Sequence, residues 1–150
     1  MLADIGNGTM NIMYINNRKP VESKCWTEKL GVEQCVIRIK NAVMDKFGTA
    51  LDDTHIKSII MTGKADISEK YLDVIRPIIS EYCKDVFDSL RKYDYNPDMM
   101  KLYIVGGGSR LIQNFGTYET DRVTLNTDVC ATAKGYENFA LRQIEREYHA

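Results

Sequence analysis

Near the start of the chain, Asp4-Ile5-Gly6-Asn7-Gly8-Thr9 puts an acid, two glycines and a hydroxyl in succession. Glycines let backbone N–H groups reach phosphate oxygens without a Cβ in the way. A carboxylate beside bound phosphates can hold Mg²⁺ through the ion's waters, and Thr9 adds a side-chain donor. The same residues also suit a tight hairpin turn, so alone this stretch has two readings. A second stretch, Val105-Gly106-Gly107-Gly108-Ser109-Arg110, follows a short apolar run. It is neither G-x-G-x-x-G nor a P-loop, which needs a lysine at fixed spacing. Three glycines at a strand end let a flat ring or a phosphate approach the backbone, and a helix starting there adds N–H donors. A flexible turn is the plainer reading.

The elements that would position these residues are legible from periodicity. Met10, Ile12 and Tyr14 alternate, and so do Val21, Ser23 and Cys25, with Asn16-Asn17 between them as a turn signal. This predicts a hairpin directly after the first glycine turn, with Pro20 on an edge strand. Cys35, Val36, Ile39, Ala42, Val43 and Phe47 fit one face of a helix from Val32 to Phe47, closed by Gly48. Asp52 or Asp53 is expected to cap a short helix through Ile60. Asp66 and Glu69 form a capping-box pattern ahead of a long helix with a stripe of Ile67, Tyr71, Val74, Ile75, Ile78, Tyr82, Val86 and Leu90. Pro77 is expected to kink or restart it. Leu102–Val105 and Arg122–Leu125 read as short strands. A final helix from Val129 is expected to turn Val129, Ala133, Tyr136, Phe139, Ala140 and Ile144 inward. Strands separated by helices imply an α/β fold with a mixed sheet and right-handed crossovers.

The chain has 150 residues, of which 44% are hydrophobic and 27% charged, which fits one globular domain. Its net charge of −1 provides no whole-chain field to draw in nucleic acid or an anionic membrane. Cys25, Cys35, Cys83 and Cys130 include no C-x-x-C pair, so they read as reduced, mostly packed thiols in a cytoplasmic protein. No run of 18 apolar residues occurs. Trp26 and Cys130 read as packing residues and His55 as solvated, while Lys40 and Asn41 close a helix that could face a cleft.

Taken together, D-x-G-x-x-T before a hairpin and, about 100 residues later, V-G-G-G-S before a helix resemble the actin-like ATPase superfamily. Lys29-Leu30-Gly31-Val32 at the entry to the first helix is similar as well, and the long helix followed by V-G-G-G most resembles the plasmid-segregation ParM/StbA branch. The resemblance implies a ribonuclease H-like domain equivalent to the second, C-terminal domain of such a protein, with the N-terminal domain and its second D-x-G motif absent. It implies ATP or ADP with Mg²⁺ as cofactors. Asp4 would serve Mg²⁺ through water. Gly6, Asn7, Gly8 and Thr9 would meet the phosphates. Gly106, Gly107, Gly108, Ser109 and Arg110 would flank the adenosine. The residue that positions the attacking water is expected upstream of Met1, so no catalytic residue is assigned within the chain. The implied function is a filament subunit for plasmid or phage DNA segregation, self-associating and reaching DNA through an adaptor. A sugar or metabolite kinase of the same superfamily, or a non-catalytic interaction module, are the alternatives.

Overall fold

The computed structural model describes the backbone of residues 1–148 and the side chains of residues 1–145. Five strands and five helices follow in the order β1 (Leu2–Ile5), β2 (Met10–Asn16), β3 (Lys19–Glu28), α1 (Val32–Phe47), α2 (Asp53–Thr62), α3 (Glu69–Lys92), β4 (Leu102–Val105), α4 (Gly108–Phe115), β5 (Val123–Leu125) and α5 (Ala131–Tyr148). The strands form one mixed sheet in the order β3-β2-β1-β4-β5. β1 runs antiparallel to β2 and parallel to β4, and β4 is parallel to β5.

The hairpin forms where the alternation predicts it, and Pro20 lies on the outermost strand, where its missing N–H breaks no ladder bond. The turn falls one residue later than expected. Asn16 still pairs with Lys19, and Asn17 and Arg18 take φ of 49° and 64°. Two left-handed residues in a row make the tight turn whose twist matches the strands.

Alternation along the strands sorts the sheet into two unlike faces. Ala3, Ile5, Met10, Ile12, Leu102 and Ile104 point to one side and are buried. They join one core with Cys35, Ile39 and Val43 of α1, Ile56 and Ile59 of α2, the inner face of α3, and Leu111 and Ile112 of α4. α3 lies between α1 and α4, so it buries a wide face: Leu72, Ile75, Ile79, Tyr82, Cys83, Val86, Phe87 and Leu90. The predicted stripe is shifted by about one residue, leaving Tyr71, Val74 and Ile78 on its flank.

Two expectations for α3 fail for physical reasons. The helix begins at Glu69 with Ser68 as its N-cap, so Asp66 lies too far out to form a capping box, and Glu69 pairs with Arg76 instead. Pro77 neither breaks nor restarts the helix. It sits on the exposed side, where water can satisfy the carbonyl that its missing N–H leaves free.

A larger departure is α5. Its expected inner face is exposed: Val129 just ahead of it is 64% exposed, Tyr136 73%, Phe139 64% and Ile144 49%. The helix makes only sparse contact with the rest of the domain. Cys130, expected in the core, is exposed, as is Cys25, while Cys35 and Cys83 are buried. His55, expected to be solvated, is half-buried.

Burial pushes the thiols of Cys35 and Cys83 up to about 12 from an ordinary value of 9.0. An unfolded chain gives up these protons near its ordinary value, whereas the folded chain retains them to about 12. Between those limits the unfolded state binds fewer protons, so stability falls as pH rises, by up to ~1.4 kcal/mol per pH unit for each group. Denaturant midpoints are therefore expected to drop above pH 9. Cys83→Ala should lower stability at neutral pH by leaving a cavity, yet flatten the alkaline slope. An unchanged slope in that variant would refute the assignment.

Candidate functional site

β1 and β4 lie side by side and parallel, with Leu2 beside Tyr103 and Asp4 beside Val105. The chain leaves β1 toward β2 on one side and leaves β4 toward β5 on the other. In open α/β sheets, ligands bind in the crevice beyond the carboxyl ends of strands at such a reversal. Both glycine stretches are found there. The fold thus brings Asp4–Thr9 and Gly106–Arg110 to one end of the sheet across a hundred residues of sequence.

The first turn is built against the start of α1. The Gly6 N–H donates to the Thr9 carbonyl at 2.9 Å. The carbonyls of Gly6 and Asn7 accept from the N–H groups of Val32 and Glu33 at 3.0 and 2.9 Å. These are among α1's orphan donors, and its N-cap Gly31 offers no side chain to satisfy them. Gly31 is held so close to the Asn7 carbonyl that a Cβ would overlap it. Asn7, Gly8 and Thr9 face solvent. The N–H groups of Asn7 and Gly8 make no hydrogen bond to the described residues.

The second turn leans on the first. Gly106 has φ of +85°, and a Cβ there would lie 2.6 Å from Asp4 Oδ1 and from the Ile5 carbonyl. Gly107 has open space around it, whereas Gly108 is buried against Ile5. Ser109 is fully buried, with its hydroxyl 2.8 Å from the carbonyls of both Gly106 and Asn126. It braces the turn from behind. Arg110 is half-buried in the first turn of α4, and its Nε has no partner among the described residues.

A cavity of about 370 Å³ opens beside both turns, between α1 and α2. Gly6, Asn7 and Gly107 form its floor, and Val32, Val36, Ile56, Ile60 and Met61 its apolar walls. Asp53 and Lys57 supply polar edges. Of the residues singled out by the sequence, Asp4, Gly8, Thr9, Gly106, Gly108, Ser109 and Arg110 do not line it. Lys40 reaches the site indirectly, pairing with Asp53 at 2.6 Å, and Asn41 is exposed. The apolar walls escape sequence reasoning because Val32 and Val36 read as ordinary helix positions. The available signal is that they flank the deeper Cys35-Ile39-Val43 face.

Asp4 faces the other way. It borders a cleft of about 890 Å³ between the open sheet face and α5, and its Oδ2 accepts from the Thr132 hydroxyl at 3.1 Å. At the root of α5, Lys134 lies 2.6 Å from Asp128, and this ionic hydrogen bond holds the Asp128 carboxyl below the usual carboxylate range.

A parallel strand pair flanked by an antiparallel hairpin, with glycine turns meeting at the reversal, defines a ribonuclease H-like domain of the actin-like ATPase type. The family model of the archaeal actin homologue MreB-like, C-terminal region matches residues 2–115, and the chain belongs to that family. Solved structures with the same fold include the archaeal actin homologue Ta0583 in complex with ADP, 18% identical with a TM-score of 0.71, covering 94% of this chain and 49% of that one. Bacillus thuringiensis ParM with ATP is 16% identical with a TM-score of 0.61, covering 85% of this chain and 41% of that one. The Alp12 filament structure is 18% identical with a TM-score of 0.67, covering 95% and 47%. The chain thus spans about half the length of these proteins. No curated protein matches it. Among the described residues, no helix is long and apolar enough to cross a membrane.

The two glycines Gly106 and Gly107 make a matched test of this site. Gly106→Ala meets both a left-handed backbone and the Asp4 carboxylate, and should cost about 1–3 kcal/mol. Gly107→Ala enters open space and should stay within about 0.5 kcal/mol of the parent. Urea unfolding of both variants is the measurement, and equal losses would contradict the geometry.

Proposed function

We propose that this chain is the nucleotide-binding C-terminal half of an actin-like, filament-forming ATPase. The observation that carries the reading is the apolar cavity between α1 and α2, which opens onto the floor of two glycine turns. An aromatic base suits walls of Val32, Val36, Ile56, Ile60 and Met61, and Lys57 and Asp53 offer polar groups at its edge. The phosphates would extend over the first turn, where the N–H groups of Asn7 and Gly8 are unengaged and no atom crowds Gly8. Neutral donors on an exposed turn fit an anionic chain of this kind.

Mg²⁺ would sit at the edge of the turn that borders the α5 cleft, where a carboxylate can hold the ion through its waters. Asp4 is the residue of this chain that would do so. Bound with the nucleotide, Mg²⁺ would neutralise phosphate charge. Asn7, Gly8 and Thr9 would orient the phosphates, while Gly107 would let the nucleoside lie close to the backbone. The filament structure of Alp12 supports the assembly reading by kinship, and ParM with ATP and Ta0583 in complex with ADP support the nucleotide reading. Segregation of plasmid or phage DNA is the finer form of it. At a net charge of −1 the chain has no field of its own for DNA, so contact would run through an adaptor protein.

Calorimetric titration with ADP, with and without Mg²⁺, tests the reading. ADP should bind more tightly with Mg²⁺, and Asp4→Asn should erase that difference. Val36→Trp should fill the cavity and weaken ADP binding at least ~10-fold, a loss of about 1.4 kcal/mol, in a variant that still unfolds cooperatively. Absence of ADP binding at millimolar concentration would overturn the proposal. ATP turnover by this chain alone should stay well below ~1 s⁻¹, the low end of ordinary enzyme rates.

A further inference from the structure

α5 is the least anchored element of the domain, and what anchors it leads back to the two glycine turns. Its side-chain link to the sheet is the Thr132 hydroxyl, which donates to Asp4 Oδ2 at 3.1 Å. The loop at its root is held by Ser109, whose hydroxyl lies 2.8 Å from both Asn126 and Gly106 carbonyls, and by the Asn126 N–H on the Ile104 carbonyl. One tie therefore runs from each turn. Beyond these ties, Tyr136 and Phe139 stand over the open sheet face without closing the cleft beneath them, and both remain mostly exposed.

Resting on the nucleotide reading above, we propose that the Thr132–Asp4 hydrogen bond is a latch that reports the state of the phosphate turn to α5. Of the two Asp4 carboxylate oxygens, Oδ1 lies against Gly106, where a Cβ would come within 2.6 Å of it, so Oδ2 is the one open to a new partner. In the free chain Thr132 engages it. With Mg²⁺ and nucleotide on the turn, Asp4 turns its charge to the ion's waters, the hydroxyl loses its acceptor, and the first turns of α5 are released. A ligand shifts such an equilibrium only by its differential affinity for the two states, and competition for Asp4 supplies that difference. The Ser109 tie holds Asn126 in place, so the release is a fraying of the first turns of α5, whose backbone hydrogen bonds open while the root stays fixed.

Amide hydrogen exchange of residues 129–136 is to be measured in the full 150-residue chain with Mg²⁺ alone, ADP alone and both, alongside calorimetry. Thr132→Val should raise exchange in this segment about fivefold without ligand, the population change of one ordinary hydrogen bond, and should leave little further response to Mg²⁺ and ADP. Thr132→Ser should keep the parent's behaviour. In the parent, Mg²⁺ with ADP should raise exchange, whereas either alone should not. ADP binding seen by calorimetry with α5 unmoved would overturn the latch and leave the nucleotide reading standing. Unchanged exchange in ligand-free Thr132→Val would overturn it regardless of any ligand. Failure of ADP to bind at all would remove both.

Discussion

Three backbone segments meet at the carboxyl ends of β1 and β4 more closely than side chains would allow, and the domain is arranged around that contact. The turn after β1 gives its Gly6 and Asn7 carbonyls to the first donors of α1. The turn after β4 folds back until Gly106 touches the Asp4 carboxylate and the Ile5 carbonyl. These contacts replace side-chain capping at a helix start whose first donors have no partner within the helix. They also fix α1 relative to β1, and with it the wall of the cavity that α1 shares with α2. Core packing behind the sheet then locks what the backbone contacts set, through Ile5, Met10, Cys35 and Ile39.

Much of this was legible locally. Alternation marks the hairpin, and apolar periodicity places α1 between Val32 and Phe47 with Gly48 closing it, as observed. Each glycine motif alone also reads as a plain tight turn, and only the two together, about a hundred residues apart, favour the phosphate and nucleoside reading. What was not legible depends on partners distant in sequence. The buried face of α3 is set by its position between α1 and α4, so a single stripe misses Leu72, Ile79, Cys83 and Phe87. Ser109 reads as a ligand contact from its place in V-G-G-G-S, yet its hydroxyl is engaged by Gly106 and Asn126. Nothing local announces Asn126 as its neighbour. The cavity walls are invisible for the same reason, since they come from two helices that meet only in three dimensions.

The sequence of α5 specifies an apolar face but not where that face lies. Periodicity says that a face is apolar; it does not say what covers it. One face of the sheet has its helices and a continuous core. The other presents Leu2, Met13 and Val105 to a cleft that Tyr136 and Phe139 only border. That asymmetry gives the domain a stable half and a movable half, because local opening is cheapest where few apolar contacts must be broken.

The proposed site also explains why binding and turnover should separate in this chain. The first turn offers neutral N–H donors and one carboxylate, and the cavity's cation, Lys57, is exposed at its edge. Neutral donors can orient a polyphosphate but add no positive charge to it. Phosphoryl transfer depends on positioning together with neutralisation of charge that develops at the transferred group. Only interactions that strengthen as the bond breaks raise the rate, and donors that bind the ground state and the transition state equally do not. Under that proposal, a domain with this turn, this cavity and Asp4 holds a nucleotide and registers its presence. On this reading the energy of nucleotide binding is expressed in the geometry of Asp4 and its neighbours before any bond is cleaved.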